Sequence, residues 1–148
     1  MIYHEMIQDL FSVPDSYYFA QCISADFAMG KGIALQFNQH FQIKKRLKAN
    51  HPDYLHFWKL NHLTADCILE NKVFNLITKP YWRSKPTYQT LELSLQIMKK
   101  ICLEKEISKL AMPLIACGLD GLDWNQVSFM IQNIFFDTEI EILVCKQS

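Results

Sequence analysis

The run Tyr17-Tyr18-Phe19-Ala20-Gln21-Cys22-Ile23 is apolar and aromatic almost without interruption. A segment so short with no wet face is expected as a strand buried on both sides, and such strands belong to parallel sheets covered by helices. The flanking patterns fit that frame. Ile2 to Ile7 alternates weakly and predicts a first strand ending at Asp9, before the turn chemistry of Val13-Pro14-Asp15-Ser16. Ala65 to Glu70 and Lys72 to Thr78 predict two strands joined at Glu70-Asn71, and Lys109 to Ala116 and Glu139 to Val144 predict two more. Between them, Thr87 to Lys105 puts Tyr88, Leu91, Leu95, Met98 and Cys102 on one helical stripe. A second amphipathic helix carries Trp124, Val127, Ile131 and Ile134, with Asp123 and Gln126 as a capping pair. Ile33, Phe37 and Phe41 have helical spacing as well. Lys44-Lys45-Arg46-Leu47-Lys48 predicts the solvated face of a short helix, Pro52 interrupts the region, and Tyr54, Phe57, Trp58 and Leu60 are expected to pack. Strands alternating with helices imply an α/β fold with a mixed, largely parallel sheet between helical layers.

The 148 residues suffice for one core, so residues 1–148 are expected to form a single domain. Half the chain is apolar and a fifth charged, as in ordinary globular proteins. Fifteen basic residues balance fifteen acidic ones, which leaves no general field for nucleic acid or an anionic membrane. The apolar runs are too short to span a bilayer, and Met1 to Met6 lacks the pattern of a signal peptide, so a cytoplasmic location is expected. Five cysteines without a Cys-x-x-Cys pair are expected to be reduced and mostly buried, and neither they nor the scattered histidines predict a metal site.

Chemistry concentrates in two glycine-bearing loops and one lysine. Leu114-Ile115-Ala116-Cys117-Gly118-Leu119-Asp120-Gly121-Leu122 follows an apolar run and precedes a helix. Its backbone N–H groups can converge on an anion, although an ordinary strand-to-helix turn has the same composition. Met29-Gly30-Lys31-Gly32-Ile33 likewise enters a helix; it is neither a Walker loop nor a dinucleotide fingerprint, and by itself a plain helix-start loop explains it equally well. Pro80 favours extended backbone at Lys79, so that lysine is expected at the mouth of a strand. There it either caps the strand or serves a ligand at the sheet's carboxyl edge.

Four blocks taken together resemble the macrodomains: Ser24 to Ala34, Leu76-Ile77-Thr78-Lys79, Lys85-Pro86-Thr87-Tyr88 and Met112 to Asp120. The likeness is to the branch typified by the terminal ADP-ribose protein glycohydrolase, and it runs from about Ile7 to Val144 with the motifs in order. It implies a three-layer α/β/α macrodomain with ADP-ribose across the carboxyl ends of the strands. It also implies that Asp9, with Leu10, contacts the adenine, and that Ser24 and the Met29, Gly30, Lys31, Gly32, Ile33 loop lie beside the distal ribose and phosphates. Thr78 adjoins the site, and Leu114, Ile115, Ala116, Cys117, Gly118 and Leu119 form the second phosphate and ribose loop. Lys79 falls on the family's nucleophile and Asp120 on its acid/base. Gln8, where a glycine is usual, and Pro80 after the lysine depart from the pattern.

The implied activity is removal of mono-ADP-ribose ester-linked to Glu or Asp of proteins, with O-acetyl-ADP-ribose as a further substrate. No cofactor is expected. The expected partners are ADP-ribose and ADP-ribosylated proteins; nucleic acid is disfavoured, no membrane is expected, and the chain is expected to be a monomer. The alternatives are an ADP-ribose reader without turnover, with Lys79 and Asp120 as a plain salt bridge, or a hydrolase of ADP-ribosylated DNA or ADP-ribose 1″-phosphate. Cys117 has no histidine partner in its motif and is expected to pack.

Overall fold

A computed structural model describes residues 1–147. Six strands, β1 (Ile2–Ile7), β2 (Tyr18–Ser24), β3 (Asp66–Glu70), β4 (Val73–Lys79), β5 (Lys109–Met112) and β6 (Glu141–Lys146), form one sheet in the order β1-β6-β5-β2-β4-β3. Every neighbouring pair is parallel except β3 with β4. The carboxyl ends of five strands therefore open onto one edge of the sheet.

Alternation along the strands divides the interior in two. Ala20, Phe74, Leu76, Leu110, Met112, Ile142 and Val144 face one side, where α4 (Tyr88–Lys105) and α5 (Trp124–Phe135) cover them. Phe19, Ile23, Val73, Ile77, Ala111, Leu143 and Cys145 face the other, beneath α1 (Gly32–Phe41), α2 (Ile43–Asn50) and α3 (Tyr54–Leu60). Leu91, Leu95, Met98 and Cys102 of the α4 stripe are fully buried, as their spacing predicts. The result is the three-layer α/β/α arrangement.

Several boundaries differ from expectation for local reasons. The first strand stops at Ile7, because Asp9 instead caps a 3-10 turn, Leu10–Ser12, by accepting from the Phe11 N–H. β5 ends at Met112 rather than Ala116: Pro113 has no N–H, and the Ile115 N–H donates to the Pro113 carbonyl, closing a turn. The β3–β4 turn lies one residue later than predicted, at Asn71 and Lys72, both with positive φ. The last strand is likewise displaced, to Glu141–Lys146. The aromatic run after Pro52 proves to be a helix, α3, entered through Asp53 in the left-handed region. Asp123 caps α5 by accepting from the Gln126 N–H.

One irregularity bears on the site. β2 and β4 run in step until Ile23 opposes Ile77, and then Ser24 opposes Lys79, so β4 spends Thr78 as an extra residue.

Candidate functional site

The two catalytic candidates come from a strand end and from a separate loop. Lys79 is the last residue of β4, and Asp120 lies in the loop between β5 and α5. Although they are 41 residues apart, Lys79 Nζ donates to Asp120 Oδ1 at 2.7 Å. The two side chains are only 12% and 14% exposed, so the ion pair is partly shielded from water yet still reachable. Lys79 Nζ also donates to the Trp82 carbonyl at 3.2 Å, which fixes the direction of the amine.

The Asp120 loop is a chain of tight turns. Cys117 N donates to Leu114 O, Gly121 N to Gly118 O and Leu122 N to Ala116 O, the last closing the loop at 2.9 Å. Ala116 has φ +62° and Gly121 φ +78°. Glycine accepts that geometry freely, whereas an alanine there costs on the order of 1 kcal/mol, so the loop is held by its surroundings. Ile115 and Ala116 are buried in the core; Leu114, Gly118 and Leu119 are exposed, and Cys117 is intermediate. Lys85 Nζ reaches across to the Leu119 carbonyl and ties this loop to the segment after β4.

The glycine loop after β2 leaves the same edge of the sheet, between the ends of β5 and β4. Ser24 and Met29 are buried, Ile33 is half-buried, and Gly30, Lys31 and Gly32 are exposed at the start of α1. No side chain caps α1, leaving its first N–H groups for solvent or an anion. Phe27 holds φ +57°, an unfavourable conformation for an aromatic residue, and its ring is buried by stacking on Tyr54 at 5.1 Å between centroids. Ser24 Oγ donates to Asp26, which also accepts from Ala28 N and Trp82 N. At the far end of the same sheet edge, Asp9 is exposed and Leu10 buried.

The arrangement unites Lys79, Asp120 and both glycine loops on one edge. The side chains of Leu10, Met29, Thr78 and Ile115 are buried, so those residues can present mainly backbone to a ligand. Sequence reasoning missed Asp26 and the Trp82 backbone, and it gave Lys85 no role beyond its motif. The Ser-Ala-Asp turn was the available signal for Asp26, since aspartate readily accepts from N–H groups two residues on. Two thiols lie near the pair. Burial, followed by the charges of Asp123 and Asp120, pushes the Cys117 thiol up to about 11, and burial followed by Asp120 raises Cys22 further. Neither is a ready nucleophile at neutral pH.

This geometry has relatives. A Homo sapiens protein described as ADP-ribose glycohydrolase OARD1 is 39% identical over 137 residues, which cover 92% of this chain and 86% of that protein. Its Bos taurus counterpart is 38% identical over the same length. Among solved structures, the macrodomain of Mycobacterium tuberculosis DarG matches with a TM-score of 0.80 at 21% identity, covering 99% of each chain. Thermosipho africanus DarTG in complex with ADP-ribose matches with a TM-score of 0.71 at 17% identity, covering 98% of this chain and 41% of that one. No family model matches the sequence. With relatives of that identity along nine-tenths of its length and the layered fold of the solved neighbours, the chain belongs to the macrodomain family and stands there with the ADP-ribose glycohydrolases.

Proposed function

We propose that this hydrolase removes mono-ADP-ribose esterified to glutamate or aspartate of proteins, with Lys79 as nucleophile and Asp120 as acid/base. The single observation that carries the reading is the 2.7 Å contact between an amine and a carboxylate, both mostly shielded, between two loops suited to phosphates. A surface salt bridge would serve stability poorly, whereas a mostly shielded pair at the carboxyl edge of the sheet is the pattern expected of a proton-transfer couple.

In the proposed cycle Asp120 takes a proton from the Lys79 ammonium, freeing the amine. The amine forms a bond to the anomeric carbon of the distal ribose as the bond to the protein carboxylate breaks, and the carboxylate departs. The ribose ring opens to an imine on Lys79. Water adds to the imine, Asp120 relays the protons, and cleavage of the carbon–nitrogen bond returns the amine and free ADP-ribose. Atoms balance as ester plus water giving acid plus ADP-ribose. O-acetyl-ADP-ribose presents the same carboxylate leaving group and fits the same cycle.

Lys79→Ala tests the assignment. Release of ADP-ribose from a glutamate-modified protein is expected to fall about 10³-fold or more. A mutant as fast as the wild type would overturn it. The same assay run on serine and DNA conjugates separates the acidic-residue reading from the alternatives, and a label left attached to every conjugate would identify a reader. The α2 lysines Lys44, Lys45 and Lys48 line a depression with Asn38 and Gln42, none of them among the site residues named above, and the DNA arm of the assay tests whether they serve a nucleic-acid conjugate.

A further inference from the structure

Resting on the reading of Lys79 as nucleophile, we propose that Asp26 is a positioning residue that locks the glycine loop and the segment after β4 into one body and thereby aims the lysine amine. Asp26 Oδ1 accepts from Ser24 Oγ at 2.5 Å and from Ala28 N at 3.1 Å, while Oδ2 accepts from Trp82 N at 3.2 Å. Its own N–H donates to the Pro80 carbonyl at 3.2 Å, and the neighbouring Ala25 N–H donates to the Lys79 carbonyl at 2.9 Å. The residue therefore stands at a crossing. One oxygen organises the turn leading into Met29 to Gly32, and the other holds the N–H of Trp82, the residue whose own carbonyl, one peptide further on, accepts from Lys79 Nζ.

The chemistry of the side chain matters here. The two backbone N–H groups, of Ala28 and Trp82, can only donate, one to each oxygen, and a carboxylate offers an acceptor to both. An asparagine of the same shape would turn an NH₂ towards one of those donors. The Phe27 backbone lies inside the turn in the left-handed region, so the turn needs such an external hold. A continuous path then runs from the glycine loop through Asp26 and the Trp82 backbone, in by its N–H and out by its carbonyl, to the amine. Disturbing Asp26 misdirects the Lys79 amine relative to the ribose without removing it.

The test uses single-turnover reaction with a glutamate-modified protein and borohydride trapping of the imine on Lys79, read by mass, alongside ADP-ribose affinity and thermal unfolding. Wild type is expected to trap an adduct and Lys79→Ala none. Asp26→Asn is expected to form the adduct about 10- to 100-fold more slowly while ADP-ribose affinity stays within about 3-fold, since misplacement of a reacting group acts on the chemical step. Trp82→Pro deletes the N–H that Asp26 accepts and keeps the carbonyl, and is expected to be about 10-fold slower than Trp82→Ala, which retains both. That comparison decides the matter should Asp26→Asn fail to fold. An Asp26→Asn adduct rate equal to wild type, a loss matched by an equal loss of ADP-ribose affinity, or equal rates for the two Trp82 variants would overturn the positioning role and leave the lysine reading standing. Absence of any adduct in wild type would remove both.

Discussion

The two ends of the sheet edge that carries the candidate site are built on different principles. At the Lys79 end, the two proposed reacting groups come from the end of β4 and from the β5–α5 loop and are joined by a direct ion pair, by the Lys85 bond to Leu119 and by the Asp26 crossing. At the Asp9 end, one short turn does everything: the carboxylate caps its own 3-10 turn, Leu10 anchors it, and Phe11 stacks on His40 at 4.1 Å. The first end owes its precision to tertiary structure, the second to local backbone chemistry. Chemistry should therefore respond steeply to changes at the first, and binding gradually to changes at the second.

The steepest effect after loss of the lysine itself should come from Asp120→Asn. It keeps the size of the side chain but removes the proton acceptor, and kcat is expected to fall by about 10² to 10⁴ with KM little changed. A change confined to KM would show instead that the two ends work alike, as binding groups. Asp9→Ala should give the opposite split, weakening ADP-ribose binding by about 10-fold, as loss of a charged hydrogen bond does, with kcat within about 2-fold. Isothermal titration and steady-state kinetics read the two separately. A large fall in kcat for that variant would break the contrast.

The smallest effect concerns β1, the strand that delivers Asp9. Burial opposes ionisation of Glu5, but donors led by the Tyr3 hydroxyl and Lys146 outweigh it and hold the carboxyl below its ordinary range. A folded value below the unfolded one means that stability is present above the usual carboxylate range and is lost as pH falls through the folded value. Thermal scans should show Tm declining below roughly pH 4, with Glu5→Gln removing part of that slope. The Lys79 end should be indifferent to the substitution, so kcat at neutral pH is expected to be unchanged.

Legibility in the sequence followed the same division. Period and turn chemistry sufficed for α4, α5 and the β3–β4 hairpin, because their signals are local and long. They did not suffice for α3, whose seven residues expose Phe57 and Leu60 and whose entry uses a left-handed aspartate. The end of β5 was overrun because Leu114-Ile115-Ala116 is apolar enough to continue a strand, while the left-handed turn at Ala116 leaves no trace in composition. Until the family resemblance paired them, Lys79 stayed open between a strand cap and a group serving a ligand, and Asp120 was a turn-forming acid. No local rule brings together residues 41 positions apart. Asp26 lay hidden for the same reason, since its Trp82 partner comes from a distant loop.

The extra residue in β4 has a consequence of its own. Residues in a strand point to opposite sides by odd and even count, and paired residues on neighbouring strands share a side. By counting alone, Lys79 would follow Val73, Asn75 and Ile77 towards α1, α2 and α3. Opposite Ser24 it instead joins the even series of β2, the side of Ala20 and Cys22, where burial and the charge of Asp120 act together on the Cys22 thiol. Thr78 bears the correction: it is 1% exposed, and its hydroxyl has no partner among the described residues, a cost of about 1–3 kcal/mol. The lysine's reach to Asp120 thus depends on a single change of parity, paid for by one stranded hydroxyl.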